Sequence, residues 1–252
     1  MPLFTIVTAT LNRDKYVAPC LDSVAKQTFR SFEQIIIDGD STDATPRIIQ
    51  DYISRHPDIR ITFVKSPANG VYDAFNQALD LATGKFINFL NSDDYYVDEN
   101  TLQIVADSIQ KNTQAQWIQS RYRTLDIAGK VHKFESVNLA HNPMRSLFRT
   151  RYMIFGKPVS HQAQFVAQRV YKELGNFDLK YKYVADYDFM FRMIHNHVFP
   201  TILEEPLAVI RQHGESLTTG GLSSYRQYLP EARRMFRHWR MKKKQESPPY
   251  GG

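Results

Sequence analysis

The sequence predicts an α/β fold with a mostly parallel central sheet flanked by helices, and three observations carry that prediction. β-Branched apolar runs alternate with amphipathic stretches of helical period through roughly the first ninety residues. Small polar and acidic residues close each apolar run. The 252 residues, 42% hydrophobic and 13% aromatic, suffice for one domain with a sizeable core and lie far from a disordered composition.

Taken in order, Leu3–Thr10 is the first strand, and Tyr16–Gln27 is a helix with Val17, Leu21 and Val24 on one face. Phe32–Ile37 is the second strand. Asp43 and Thr45 offer caps to a helix carrying Ile48, Ile49, Tyr52 and Ile53. Ile59–Val64 is the third strand, and Val71–Ala82 is a helix bearing Phe75, Leu79 and Ala82, with Gly84 at a C-cap position. Phe86–Leu90 is the fourth strand. This alternation implies a parallel sheet covered on both faces, whose ligands sit outside the carboxyl ends of the strands.

Beyond Tyr96 the rhythm loosens into a mixed second half. Thr101–Lys111 is a helix, Gln116–Leu125 a strand, and Lys130–Phe134 its hairpin partner across Ile127-Ala-Gly129. Asn138–Pro158 has weak periodicity and is expected as a loop with short helical pieces. Gln164–Val166 is a short strand, Val170–Leu174 a short helix, Val184–His197 a longer helix, and Pro200–Ile210 holds a last strand. Tyr225–Lys244 is a terminal helix, with Gln245–Gly252 frayed. The domain is expected over 1–225, split into halves 1–95 and 96–225, with a basic amphipathic tail at 226–252.

Cys20 is the single cysteine, which excludes a disulfide-stapled fold and fits a reducing, cytoplasmic setting. No run of 18 apolar residues exists, so no membrane-spanning helix is expected, and the N-terminus lacks the pattern of a signal peptide. The last 27 residues hold eight Lys/Arg against Glu231 and Glu246, which equals the whole formal charge of +6. The first 225 residues carry 24 charges of each sign. A nucleic-acid reader more often spreads its positive charge over the folded surface, so no nucleic-acid partner is expected. Tyr225, Tyr228, Leu229, Ala232, Met235, Phe236 and Trp239 form an apolar stripe bordered by arginines. Such a helix either docks on a membrane surface or packs its stripe on the domain.

The strand ends carry Thr8-Ala-Thr-Leu-Asn-Arg13, Asp38-Gly-Asp-Ser-Thr-Asp43, Pro67-Ala-Asn-Gly-Val-Tyr-Asp73 and Asn91-Ser-Asp-Asp94. In a parallel sheet these four tips converge on one edge. Crowded carboxylates repel unless a cation neutralises them, and hard oxygen ligands suit Mg²⁺ or Mn²⁺. Adjacent residues of an extended strand face opposite ways, so one of Asp93 and Asp94 should ligate well. Asp43 is better read as a helix cap, and a cap is a reasonable reading of Asp73.

These segments resemble family-2 glycosyltransferases of the GT-A fold. The matching pieces are Val7–Arg13, Ile36–Thr45, Gly70–Asn76, Ala82–Asp94, His161-Gln162, Gly175–Asp178, Ala185–Arg192 and Ile210–His213, in the family's order. The resemblance implies an inverting, metal-dependent enzyme. It would move a sugar from a UDP-linked nucleotide-diphosphate donor to a hydroxyl of a glycan or lipid-linked acceptor in surface polysaccharide synthesis. Thr8, Thr10 and Arg13 would line the base pocket, and Asp38 would accept from the uracil ring. Asn69 and Gly70 would lie by the diphosphate at a helix N-terminus. Asp94, with Asp93 beside it, would sit at the Mn²⁺ or Mg²⁺ site, His213 would be a further metal or phosphate contact, and Asp186 would be the catalytic base. His161 would reach the acceptor pocket, and Asp188 would point elsewhere on the helix. A lipid-linked acceptor would give the basic tail a peripheral membrane role. A nucleotidyltransferase would need a glycine-rich loop after the first strand, which Thr8–Arg13 lacks. A non-catalytic nucleotide-sugar-binding module is disfavoured by Asp94, Asp186 and His213 occurring together.

Overall fold

The computed structural model describes residues 1–67, 69–134, 159–212 and 222–246. The strands among them are β1 (Phe4–Thr10), β2 (Phe32–Asp38), β3 (Arg60–Lys65), β4 (Phe86–Phe89), β5 (Tyr95–Tyr96), β6 (Trp117–Leu125), β7 (Val131–Phe134), β8 (Gln164–Ala167) and β9 (Thr201–Arg211). The helices are α1 (Val17–Ala25), α2 (Thr45–Arg55), α3 (Val71–Leu81), α4 (Thr101–Lys111), α5 (Gln168–Leu174), α6 (Ala185–His195) and α7 (Leu222–Glu246). A 3₁₀ turn spans His161–Ala163. The sheet runs β3-β2-β1-β4-β8-β6-β9-β5, with β7 paired to β6.

The first four strands are parallel to one another, as the alternation predicts. β2 is buried along its whole length, whereas edge strand β3 is only partly covered, which is how a sheet layered on both faces should grade outwards. On α1 the buried residues are Val17, Cys20, Leu21 and Val24, a helical stripe facing the sheet. Beyond β4 the sheet becomes mixed: β8 is antiparallel to both β4 and β6, and β9 runs parallel to β6.

Three local expectations need revision. Helix α3 ends at Leu81 with Ala82 in extended conformation, so Gly84 is not its C-cap. A Cβ at Gly84 would lie 2.5 Å from the Thr5 backbone nitrogen, and that close approach is what requires glycine. β5 is a two-residue strand on β9, too short to show any period. The turn at His161–Ala163 likewise lies where no element was expected. The expected loop at 138–158 lies outside the described residues, and 247–252 lie outside them as well.

The apolar stripe of α7 belongs to the main core: Tyr228, Ala232, Met235, Phe236 and Trp239 are buried in the same cluster as β1, β4 and α6. Phe191 packs edge-on to Phe236 and stacked on Trp239. Trp239 Nε1 donates to Asp188 Oδ1 at 3.0 Å, and Glu231 accepts from the amides of Lys182, Tyr183 and Val184 at 3.0, 2.6 and 3.1 Å. Those amides precede α6, so a carboxylate from the last helix satisfies backbone donors at its start. Arg226, Arg233, Arg234, Arg237 and Arg240 lie on the exposed side. No described helix is long and apolar enough to cross a membrane.

Candidate functional site

The carboxyl ends of β1, β2 and β3 are in register: Thr10 pairs with Asp38, and Asp38 with Lys65. The strand order reverses direction of growth between β1 and β4, which opens a crevice at that end of the sheet. Thr8 and Thr10 point to one face of β1 and are both buried, and the Thr10 hydroxyl has no hydrogen-bond partner among the described residues. Asp38 is fully buried and accepts from the Ser41 amide (3.2 Å) and hydroxyl. The loops after β1 and β2 are laced together. The Asn12 amide donates to Ser41 Oγ at 2.8 Å, Thr42 N–H to Asn12 Oδ1 at 2.9 Å, and Arg13 N–H to Thr45 Oγ1 at 2.8 Å. Asp43 accepts from the amides of Thr45 and Asp14. Against a desolvation effect of the opposite sign, these bonds hold its carboxyl below the usual range, as expected of an acid at a helix start. Arg13 is half-buried at this edge.

Gly70 opens α3 with φ 100° and ψ 173°, a conformation that L-residues rarely adopt, and a Cβ there would meet nothing within 4 Å. Asn69 is exposed, and its amide donates to Asp73 Oδ2 at 2.9 Å, so Asp73 acts as a cap in the first turn.

At the end of β4, Asp93 is half-buried and Asp94 is 2% exposed. The Asp94 carboxylate accepts from Gln162 Nε2 at 2.6 Å and from the Arg211 amide at 2.9 Å. Arg211 Nε also reaches the Asp93 carbonyl at 3.3 Å. Nearby, burial first and then the charges of Asp94 and Asp93 push the Cys20 thiol well up, so the field at this strand tip is negative. Among the described residues no group of three or more His, Cys, Asp or Glu side chains forms a metal cage. Two carboxylates of unequal exposure nonetheless fit Mg²⁺ or Mn²⁺, which take one or two protein carboxylates plus substrate phosphates and water. His213 and Ala68 lie outside the described residues.

Asp186 stands in the first turn of α6 with its side chain 13% exposed. Oδ1 accepts from the Tyr72 hydroxyl at 2.8 Å and the Tyr187 amide at 2.9 Å, and Oδ2 lies 3.1 Å from His161 Nδ1. Burial alone would raise this carboxyl, but the His161 hydrogen bond and charge, then Tyr72 and the Tyr187 amide, hold it below the usual range. Tyr72 is pushed the other way by burial and by the Asp186 charge, so it stays a donor. His161 Nε2 faces Asn91 Oδ1 at 3.3 Å, and its ring meets Phe75 edge-on at 5.6 Å. Phe75, Phe89, Phe177 and Tyr72 wall this pair from behind.

Asp188, two residues further along the helix, has another role: it is 4% exposed and held by Arg192 Nε at 3.1 Å and by Trp239. The residues that sequence reasoning left without a role are Tyr72, Asn91, Gln162 and Arg211. All four fall inside matched segments, but only their partners, far off in sequence, reveal what they touch.

The family model "Glycosyl transferase family 2" matches residues 5–197. The PGL/p-HBAD biosynthesis glycosyltransferase of Mycobacterium tuberculosis is 32% identical over 200 residues, covering 79% of this chain and 73% of that protein. Chondroitin synthase of Escherichia coli is 26% identical over 193 residues, covering 77% of this chain and 26% of that protein. Among solved structures, S. aureus TarS 1-349 in complex with UDP-GlcNAc has a TM-score of 0.68 at 21% identity, covering 88% of this chain and 61% of that one. A mannosyltransferase from Pyrobaculum calidifontis, in complex with GDP-Man and Mn2+, has a TM-score of 0.64 at 20% identity, covering 93% and 64%. This chain thus spans less than two thirds of those solved chains, and they share its GT-A fold.

Proposed function

We propose a specific reaction from one premise: the chain belongs to glycosyl transferase family 2 and is a glycosyltransferase. It moves a sugar from a nucleotide-diphosphate donor, UDP-linked, to a hydroxyl of a glycan or lipid-linked acceptor in surface polysaccharide synthesis, with inversion at the anomeric carbon. The observation that carries this reading is the Asp186 carboxylate, partly exposed at a helix start and kept ionised by His161 and Tyr72.

An inverting displacement needs one base and no covalent enzyme intermediate. Asp186 takes the acceptor hydroxyl proton as the acceptor oxygen bonds to the anomeric carbon. The bond from that carbon to the diphosphate oxygen breaks on the opposite face, and the nucleoside diphosphate leaves with the electron pair. Thr8, Thr10 and Arg13 line the base pocket, where the Thr10 hydroxyl lacks a partner to lose. Asp38 is an acceptor-only group suited to a ring N–H, its Ser41 contacts being the bonds that a base would share. Asn69 and Gly70 face the diphosphate at the α3 N-terminus, where the positive φ favours glycine, whose backbone carries no side chain. Asp93 and Asp94 would hold Mn²⁺ or Mg²⁺, with His213 as a further contact. Such an ion supplies positive charge that stabilises the departing diphosphate.

A peripheral contact with an anionic membrane face is part of the proposal, in a cytoplasmic setting. It rests on the exposed arginines of α7 alone, because the stripe beneath them is buried.

Calorimetry with UDP and with GDP, each with and without Mn²⁺, tests the donor reading. UDP binding that requires Mn²⁺ and disappears in Asp94→Asn is expected. Metal-independent binding, or preference for GDP, would overturn the metal or the uridine assignment respectively.

A further inference from the structure

The base and the metal-side carboxylate stand on different elements, 92 residues apart in numbering, and one turn grips both. His161 holds Asp186 through Nδ1 at 3.1 Å, and its neighbour Gln162 holds Asp94 through Nε2 at 2.6 Å. The turn itself is anchored. Asn88 Nδ2 donates to the backbone carbonyls of Gln162 (3.1 Å) and Gln164 (2.6 Å), and its Oδ1 accepts from Tyr96 at 2.8 Å. The Ser160 hydroxyl donates to Gln162 Oε1, which fixes the amide so that its nitrogen faces Asp94. The far side of the His161 ring meets Asn91, three residues before Asp94 on the same strand end.

A turn needed only for packing would place apolar side chains here. Gln162 is 5% exposed and Asn88 fully buried, and burying amides is unfavourable unless they are bonded, so their partners are specific. Both carboxylates are also the ones to which the proposed reaction assigns work.

We propose that the His161–Gln162 turn is a positioning device that sets the base and the donor-side carboxylate relative to each other. This inference rests on the reaction proposed above. His161 orients Asp186 toward the acceptor, and Gln162 orients Asp94 toward a divalent cation, the arrangement by which outer partners aim a ligating carboxylate. Neither residue touches the reacting atoms in this role.

The two halves separate experimentally in the full chain. Gln162→Met keeps the volume and removes the donor. It should weaken Mn²⁺ binding in the presence of UDP by about tenfold, measured by calorimetry, while leaving the ¹⁵N signals of the His161 ring in place. His161→Leu should leave Mn²⁺ affinity within about twofold. It should lower kcat for hydrolysis of UDP-GlcNAc or UDP-glucose by about 10–100-fold at unchanged KM. His161→Asn, which keeps a donor near the Nδ1 position, should recover most of that loss. In the chain with His161 intact, Asp186→Asn should shift the His161 ring signals.

Wild-type Mn²⁺ affinity in Gln162→Met would overturn the metal half. So would an equal loss of Mn²⁺ affinity in His161→Leu, which marks mere loosening of the turn. Unchanged kcat in His161→Leu, no rescue by asparagine, or ring signals indifferent to Asp186→Asn would overturn the base half. Failure of the wild type to bind Mn²⁺ with UDP overturns the donor reading and the metal half with it. The ring-signal experiment then decides the base half independently.

Discussion

The two sides of the crevice are built in different ways. On the β1–β2 side, neighbouring loops of one regular unit bond to each other: Asn12 with Ser41 and Thr42, Arg13 with Thr45, and Asp38 with Ser41 three residues on. On the β4–α6 side, the contacts reach across the chain. Asp94 meets Gln162 and Arg211, Asp186 meets Tyr72 and His161, and Asp188 meets Trp239. The first side is set by a repeated strand-helix geometry, so its polar tips follow from the fold. The second is set by distant segments arriving together, so its geometry depends on the integrity of the whole chain. The nucleotide contacts of the β1–β2 loops should therefore survive injuries that displace Asp186.

The sharpest way to break this contrast is Asp186→Asn. Turnover should fall by about 10²–10⁴-fold with nucleotide affinity unchanged, checked by initial rates beside calorimetry. The same carboxylate gives a pH signature. Its folded pKa lies below the unfolded value, so the stability it contributes is present above the unfolded value and is lost as pH falls through the lower folded one. An acid limb of kcat belonging to Asp186 should accordingly lie below about pH 4, not near neutrality. Losing nucleotide affinity in Asp186→Asn would mean that the two sides are one coupled unit.

Next in size is Trp239→Ala on α7. It removes a buried indole stacked on Phe191 and strips Asp188 of a donor, and should lower stability by about 3–5 kcal/mol in denaturant melts. The damage should centre on α6, so turnover should decline before nucleotide binding does. The smallest effect expected is that of Gly70→Ala, at about 1–3 kcal/mol from its backbone conformation, with no clash to add. Because Gly70 belongs to the β3–α3 connection, that change should weaken nucleotide binding. A variant whose kcat alone changed would contradict its assignment to the diphosphate side.

The same contrast explains what was legible in advance. Regular elements announced themselves by period, and Thr101–Lys111 was found with the very limits predicted. The four-strand parallel unit followed from the alternation. The two-residue β5 and the His161–Ala163 turn carry no period to detect. Periodicity does not distinguish the two acids of α6 either; the family resemblance and helix geometry do. Asp186 keeps 13% of its side chain exposed, whereas Asp188 is buried and bonded to Arg192 and to Trp239, 51 residues later. The need for glycine at residue 84 comes not from a helix end but from Thr5 on β1, far away in sequence.

Glu231 has a practical corollary. The family match ends at residue 197, and a chain trimmed to that limit would keep Asp94, Asp186 and the four-strand parallel unit of β1–β4. It would also discard the carboxylate that occupies the amides ahead of α6. Homology boundaries drawn for expression, fusion or transplantation into another enzyme would therefore cut away a brace of the helix that carries Asp186 while appearing to spare it.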